Sequence, residues 1–505
     1  MGMRKTIIWF SLMVTLAWGG SCLSSGAEPE TTPGATSGSS VETAGGHGAE
    51  AGGEEHGLDG SELGLWWGIP FVGILLSIAL MPLVAPHFWH LHFGKVSLFW
   101  ALCFLVPQLI QQGASVTLYE VLHVVLQEYL PFIILLFSLF TIAGGVRLTG
   151  RLAGTPLVNT VMLALGTLAA SVMGTTGAAM LMIRPFIRAN EGRTKRVHAI
   201  VFFIFLVANV GGSLSPLGDP PLFLGFLLGV DFFWPTRMML GPMMLVAGLL
   251  LIVFFVWDTL LYRKEAKPEA KESDGQPLRV DGKVNLLLLV GVVAAVLMSG
   301  IWKPEAHLPT VDGVHLALQN VTRDLLLLGL AGLSWVMTPR AGRMANGFSW
   351  FPIVEVAKLF IGIFMTIIPV IAILKAGDRG HLAGLIQLVS HDGVAINSMY
   401  FWLTGILSSF LDNAPTYLVF FNTAGGNATE LMAHGTTLLA ISAGAVFFGA
   451  VTYIGNAPNF MVRSIAESSG IRMPSFFGYM LYSVAILVPL FILVTLLWFR
   501  ESGGG

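Results

Sequence analysis

The chain has 505 residues, of which 54% are hydrophobic and only 11% charged. That composition excludes an ordinary soluble domain and describes a polytopic membrane protein. The formal net charge of −2 conceals lysines and arginines gathered in a few connecting segments rather than on one basic face, which argues against nucleic acid as a partner. The two cysteines, Cys22 and Cys103, supply neither a disulfide framework nor a cysteine metal site.

The opening stretch "MGMRKTIIWFSLMVTLAWGGSCLSSGA" has a basic start, an apolar core and small residues at Ser25 and Ala27. It reads as a secretory signal over 1–27, leaving the mature N-terminus external. "GGSC" before Cys22 lacks the upstream leucine of a lipoprotein signal. Residues 28–60, rich in Gly, Ser, Thr and Glu, are expected to be disordered, and His47 and His56 there read as solvated rather than metal-binding.

Apolar stretches long enough to cross roughly 30 Å of hydrocarbon begin near Trp66, Val96, Pro131, Val197, Thr236, Val284, Asp324, Pro352, Gly435 and Phe476, about ten spans in all. Two further stretches, "LGTLAASVMGTTGAAMLMIRP" and "FWLTGILSSFLDNAPTYLVFF", carry Gly, Pro, Asp and Asn at their midpoints. Each is predicted to be a re-entrant hairpin that enters and leaves by the same side. Irregular backbone survives at membrane depth only when buried in protein or lining a cavity.

With the tail external, eighteen lysines and arginines fall on internal segments. Only six, Arg237, Lys303, Arg323, Lys375, Arg379 and Arg500, fall on external ones, in agreement with the positive-inside rule. The first hairpin then opens inward and the second outward. That opposition suggests an inverted repeat. An offset of 237 carries Ser171 to Ser408, Gly212 to Gly449, Gly218 to Gly455, Asp219 to Asn456, Pro221 to Pro458 and Phe223 to Phe460, laying "SPLGDPPLF" over "TYIGNAPNF". The expected architecture is all-α, with two inverted repeats over 61–261 and 284–500. Each repeat holds a hairpin and a broken transmembrane helix, and a charged cytoplasmic linker over 262–283 joins them.

A broken membrane helix directs unsatisfied N–H and C=O groups and its partial charges into the gap. Carbonyls around Gly218 and Gly455, with the side chains of Asp219, Asn456 and Asn459, are oxygen ligands suited to a small hard cation such as Na⁺. The hairpin tips add Thr175 and Thr176 on one side and Asp412, Asn413 and Thr416 on the other, with the ion itself assigned to Asp219, Asp412, Asn413 and Asn456. A carboxylate at that depth costs about 2.5 to 3.5 kcal/mol, so Asp219 and Asp412 are natural acceptors that alternate between H⁺ and Na⁺. The competing reading makes each a helix cap.

Lys358 is basic inside a span. It either pairs with Glu355 on the same helix face or snorkels, or it takes part in proton coupling. His87, His90 and His92, interleaved with aromatics, read as an interfacial belt rather than a metal site, and Glu120 and Glu128 as solvent-facing. No HExxH, GxSxG or P-loop occurs. The GxGD stretch of an intramembrane aspartyl protease is also absent, since Pro216 stands two before Gly218. An enzyme is therefore not expected.

"TTGAAMLMIRP", "GGSLSPLGDPPLF", "SSFLDNAPTYLVFFN" and "YIGNAPNFMV" together resemble the ion-transporter superfamily from about Glu62 to Arg500. The resemblance is closest to its bacterial sodium:proton antiporter branch, also catalogued as putative citrate transport. It implies a homodimer in a bacterial inner membrane, with a scaffold, a mobile transport domain holding hairpins and broken helices, and no cofactor beyond Na⁺ and H⁺ as cargo. The superfamily's dicarboxylate carriers show Ser-Asn-Thr at both hairpin tips, whereas these tips read "GTTG" and "LDNAPT". Asp412 would repel an organic acid unless a cation neutralised it, which favours cation exchange over citrate or dicarboxylate uptake.

Overall fold

The computed structural model describes residues 58–150, 152–265, 279–304, 310–391 and 393–500. The expected signal, nearly all of the tail with His47 and His56, and the middle of the linker lie outside the described residues.

The chain forms two successive sets of helices in the same order. The first comprises α1 (Ile69–Val84), α2 (Pro86–Val124), α3 (Leu130–Ala143), the hairpin α4 (Pro156–Met173) and α5 (Thr175–Ala189), the broken helix α6 (Val197–Leu206) and α7 (Pro220–Leu227), and the closing α8 (Trp234–Tyr262). The second comprises α9 (Lys283–Ile301), α10 (Leu318–Met337), α11 (Phe351–Lys375), the hairpin α12 (Asn397–Leu411) and α13 (Asn413–Thr423), the broken helix α14 (Gly435–Phe448) and α15 (Ala457–Ser468), and the closing α16 (Phe476–Trp498). Prolines open many of these helices in the first turn, where the missing N–H costs nothing. Helices α1, α2, α3, α9, α10 and α11 pack largely on one another, and the hairpins and broken helices form a second body with α8 and α16.

Among the described residues, eight helices are long and apolar enough to cross a membrane. One is the 58-residue stretch Pro86–Ala143, which holds both spans expected near Val96 and Pro131. It leaves helical geometry at Gly113 (φ 80°) and contains a π-helical turn at Val125–Tyr129. The segments expected near Asp324 and Gly435 are helices but fall outside those eight. Helix α10 carries Arg323 and Asp324, and α14 spans only 14 residues before its chain unwinds. Arg323, expected on an external segment, instead lies within α10 and is 1% exposed, its Nε 2.8 Å from Asp324 Oδ1.

Both interruptions are hairpins. At the open end of the first, Asn159 and Asn190 exchange two amide hydrogen bonds of 2.9 Å, so the arms begin and end side by side. In the second, Tyr400 on one arm meets Phe420 on the other at 6.3 Å between ring centroids. Each tip is a single residue at positive φ: Gly174 (φ 78°, ψ 150°) and Asp412 (φ 74°, ψ 142°).

The repeat is real, with one correction of register. Asp219 (φ −146°, ψ 143°) and Asn456 (φ −153°, ψ 139°) occupy the same place before α7 and α15, as the offset of 237 requires. The hairpins, however, match at 238. Ser171 Oγ donates to the Gly211 carbonyl and accepts Ser215 on its own carbonyl. It is Ser409, not Ser408, that repeats both contacts, with Phe448 and Thr452. The second repeat is one residue shorter between hairpin and break, a slip that short Gly- and Ser-rich matches cannot reveal.

Candidate functional site

The two breaks and the two tips meet at Asp219. The side chain is 2% exposed. Its Oδ1 accepts from Thr175 Oγ1 at 3.1 Å and from Asn456 Nδ2 at 3.1 Å, and its Oδ2 accepts from Asn413 Nδ2. Three donors thus arrive from the first tip, the second break and the second tip. Residues 219 and 456 are repeat equivalents, and equivalents can touch only close to the axis that relates the repeats. The site therefore lies where the two repeats meet.

The local backbone makes this convergence achievable. At Gly218 a Cβ would lie 2.1 Å from the Gly212 carbonyl oxygen, and at Gly455 one would lie 2.7 Å from that of Gly449. Each glycine therefore lets two unwound strands of its break cross in contact. The Gly218 carbonyl, expected to face an ion, accepts from Thr175 N at 2.9 Å and fastens the first tip onto the first break.

Asp219 opens α7, but its carboxylate makes no capping bond to that helix. The capping reading thus does not describe Asp219. It does describe Asp412, which is half-buried and accepts Ala414 N at 3.3 Å as the cap of α13. Thr416 returns its hydroxyl to the Asp412 carbonyl at 2.7 Å, and Thr176 follows Thr175 half-buried. Asn459 is fully buried, donating to the Gly449 and Thr452 carbonyls at 2.7 and 2.9 Å. It therefore braces the second break rather than facing Asp219. Lys358 is not among the described partners of the cluster: it is exposed, with Nζ 5.6 Å from the centre of the Phe93 ring.

Asn209 escaped the sequence reading. Fully buried, it donates to Asn459 Oδ1 at 2.7 Å and accepts from Asn456 Nδ2 at 3.3 Å, joining the breaks. The offset carries it to Val446, so the repeat conceals it. A lone amide in the apolar run "FLVANVGG" was the available signal.

The electrostatics of Asp219 are unusual. Hydrogen bonds to a charged group contribute about 1.5 to 3 kcal/mol each, while burying an ion costs several kcal/mol. Among the described ion pairs none involves Asp219. A second buried carboxylate, Asp258 on α8, supplies the contrast. It has Arg193 Nη2 at 2.6 Å, His198 Nε2 at 2.8 Å and Asn159 Nδ2 at 3.0 Å. Beside Asp219, the Asn413 Oδ1 atom is buried and accepts no hydrogen bond. Asp219 is thus a buried carboxylate with only neutral donors among its described partners, next to an idle amide oxygen, and hard cations take such oxygen groups.

The sequence of residues 60–499 matches the family model described as putative citrate transport. The chain belongs to the putative citrate transport family. It is accordingly a multi-pass membrane protein of the secondary-transporter class. A search of curated proteins returned no match.

Proposed function

We propose that this member of the putative citrate transport family exchanges Na⁺ for H⁺ at Asp219. The observation that carries the reading is the enclosure of that carboxylate by Thr175, Asn413 and Asn456, with no cationic side chain among its described partners. One proton or one Na⁺ satisfies the same oxygens, and the two exclude each other. When Na⁺ enters, Asn413 and Asn456 can turn their amide oxygens inward to join Asp219 and Thr175 Oγ1, giving the all-oxygen set that a hard cation takes. Rotation of two amides converts donors to a carboxylate into ligands of a metal ion.

A second reading, citrate or dicarboxylate uptake coupled to Na⁺ or H⁺, is favoured by the family description. Against it, no arginine or lysine is among the described partners of Asp219, Asn413 or Asn456 to receive the anion's carboxylates. Proteoliposomes separate the two. Exchange predicts that Na⁺ addition dissipates an imposed ΔpH without citrate and that labelled citrate does not accumulate. Citrate uptake with no Na⁺-dependent proton flux would establish the second reading instead.

A further inference from the structure

A cleft of about 350 Å³ lies between the end of α5 and the end of α15, lined by Arg184, Ile187, Arg188, Glu191 and Ser469. Its volume falls within the range of small-ligand sites, about 300 to 1,000 Å³. We propose that this cleft binds a phosphate-bearing anion at the inner face of the membrane, independently of the ion transported at Asp219.

Two arginines one helical turn apart line the same space. Arg188 has one arm committed to the Leu148 carbonyl at 2.9 Å, and Glu191 offsets part of its charge. Arg184 has no acid among its described ion pairs, and its Nη1 is buried with no hydrogen-bond partner. The other side of that guanidinium is closed by backbone, since a Cβ on Gly347 would lie 2.1 Å from Arg184 Nη2. Two arginine side chains on one wall, one of them with no acid among the described ion pairs, supply the positive charge and N–H donors that a phosphate takes.

The place fits the chemistry. Arg184 and Arg188 share their end of the first hairpin with Arg193, Lys195 and Arg196, the side that charge asymmetry assigns to the cytoplasm. Basic pockets between membrane helices on that side bind anionic headgroups. The walls come from α5 of one repeat and α15 of the other, so the anion would bridge the repeats at their inner ends. It can be a lipid headgroup or free inorganic phosphate, and the test separates these sources.

Full-length protein in detergent is compared by native mass spectrometry for retention of phosphatidylglycerol against phosphatidylcholine, and by thermal unfolding with inorganic phosphate against chloride at equal ionic strength. A headgroup site predicts preferential retention of phosphatidylglycerol, weakened about tenfold in the Arg184→Gln/Arg188→Gln variant and unchanged in Arg472→Gln, an exposed control on the same side. A free-anion site predicts phosphate-specific thermal protection of the wild type that the double variant lacks. Ser469→Glu sets a negative charge across the cleft without altering either arginine and should weaken binding if the double variant does not fold. Wild-type protein that neither prefers phosphatidylglycerol nor gains protection from phosphate overturns the proposal, as does binding undiminished in both cleft variants.

Discussion

Asp219 and Asp258 are 2% and 0% exposed, yet among the described residues only Asp258 has a guanidinium, that of Arg193, against it. The same substitution should therefore have opposite consequences at the two positions. In Asp258→Asn, Arg193 loses the more deeply buried of its two carboxylate partners and keeps Glu265, so the cost lies toward or below the lower end of the about 3 to 5 kcal/mol of breaking a buried pair from one side. The expected result is a clear fall in melting temperature and in the yield of folded protein. Asp219→Asn removes a charge that has no counter-ion among the described residues and keeps the shape, so folded yield should stay near wild type while Na⁺-driven proton movement disappears. The pH dependence should change with it. Under the proposed exchange, protons compete with Na⁺ for the Asp219 oxygens, so apparent Na⁺ affinity should weaken as pH falls in the wild type; in Asp219→Asn that dependence should vanish. Exchange that retains its normal pH profile in Asp219→Asn would sink the carboxylate mechanism.

The hairpins and breaks were legible because glycine, proline and aspartate stand where an uninterrupted membrane helix would place apolar residues, and irregular backbone at that depth needs a purpose. What the residues did not disclose was the contact geometry. Four of the candidate ligands converge on one another, Thr175, Asp219, Asn413 and Asn456. Thr416 and Asn459 turn to their own backbone, and Asn209, without a counterpart in the other repeat, completes the join. The two glycines carry the breaks by close approach, so Gly218→Leu and Gly455→Leu should each abolish exchange. Wild-type rates in either would mean the crossings do not shape the site. The tips make a subtler pair. Asp412 holds the backbone conformation that Gly174 holds in the first hairpin. That conformation costs a residue with a side chain about 1 to 3 kcal/mol, while its cap on α13 returns about 1 kcal/mol. Asp412→Gly should thus leave stability unchanged or raised by up to about 2 kcal/mol, measured by thermal unfolding. Reduced exchange in so stable a variant would show that the strain is retained for the carboxylate's part in transport, and unchanged exchange would leave Asp412 a cap.

The whole molecule turns on whether its two sets of helices enter the membrane with opposite sense, since only then do the tips approach Asp219 from opposite sides. Two hairpin mouths mark the two faces. The first is tied to the chain beyond α8, where Glu265 accepts from Thr194 at 2.8 Å and from Arg193 at 3.2 Å, so Lys264 belongs to the face onto which the first hairpin opens. The second begins at Asn397, where the chain arrives from α11 past Arg379, so Arg379 belongs to the face of the second. Both side chains are exposed and accept substitution without disturbing a packed contact. In a background with Cys22 and Cys103 replaced by serine, Arg379→Cys should react with an impermeant maleimide added to intact cells, and Lys264→Cys should react only after permeabilisation. Labelling of both from one side would place the hairpin mouths on a common face, which an inverted pair cannot have. Labelling of Lys264→Cys alone would keep the inversion and reverse the orientation that the charge asymmetry assigns. The cleft at Arg184 would then face outward, away from the membrane surface whose lipids carry the phosphate charge.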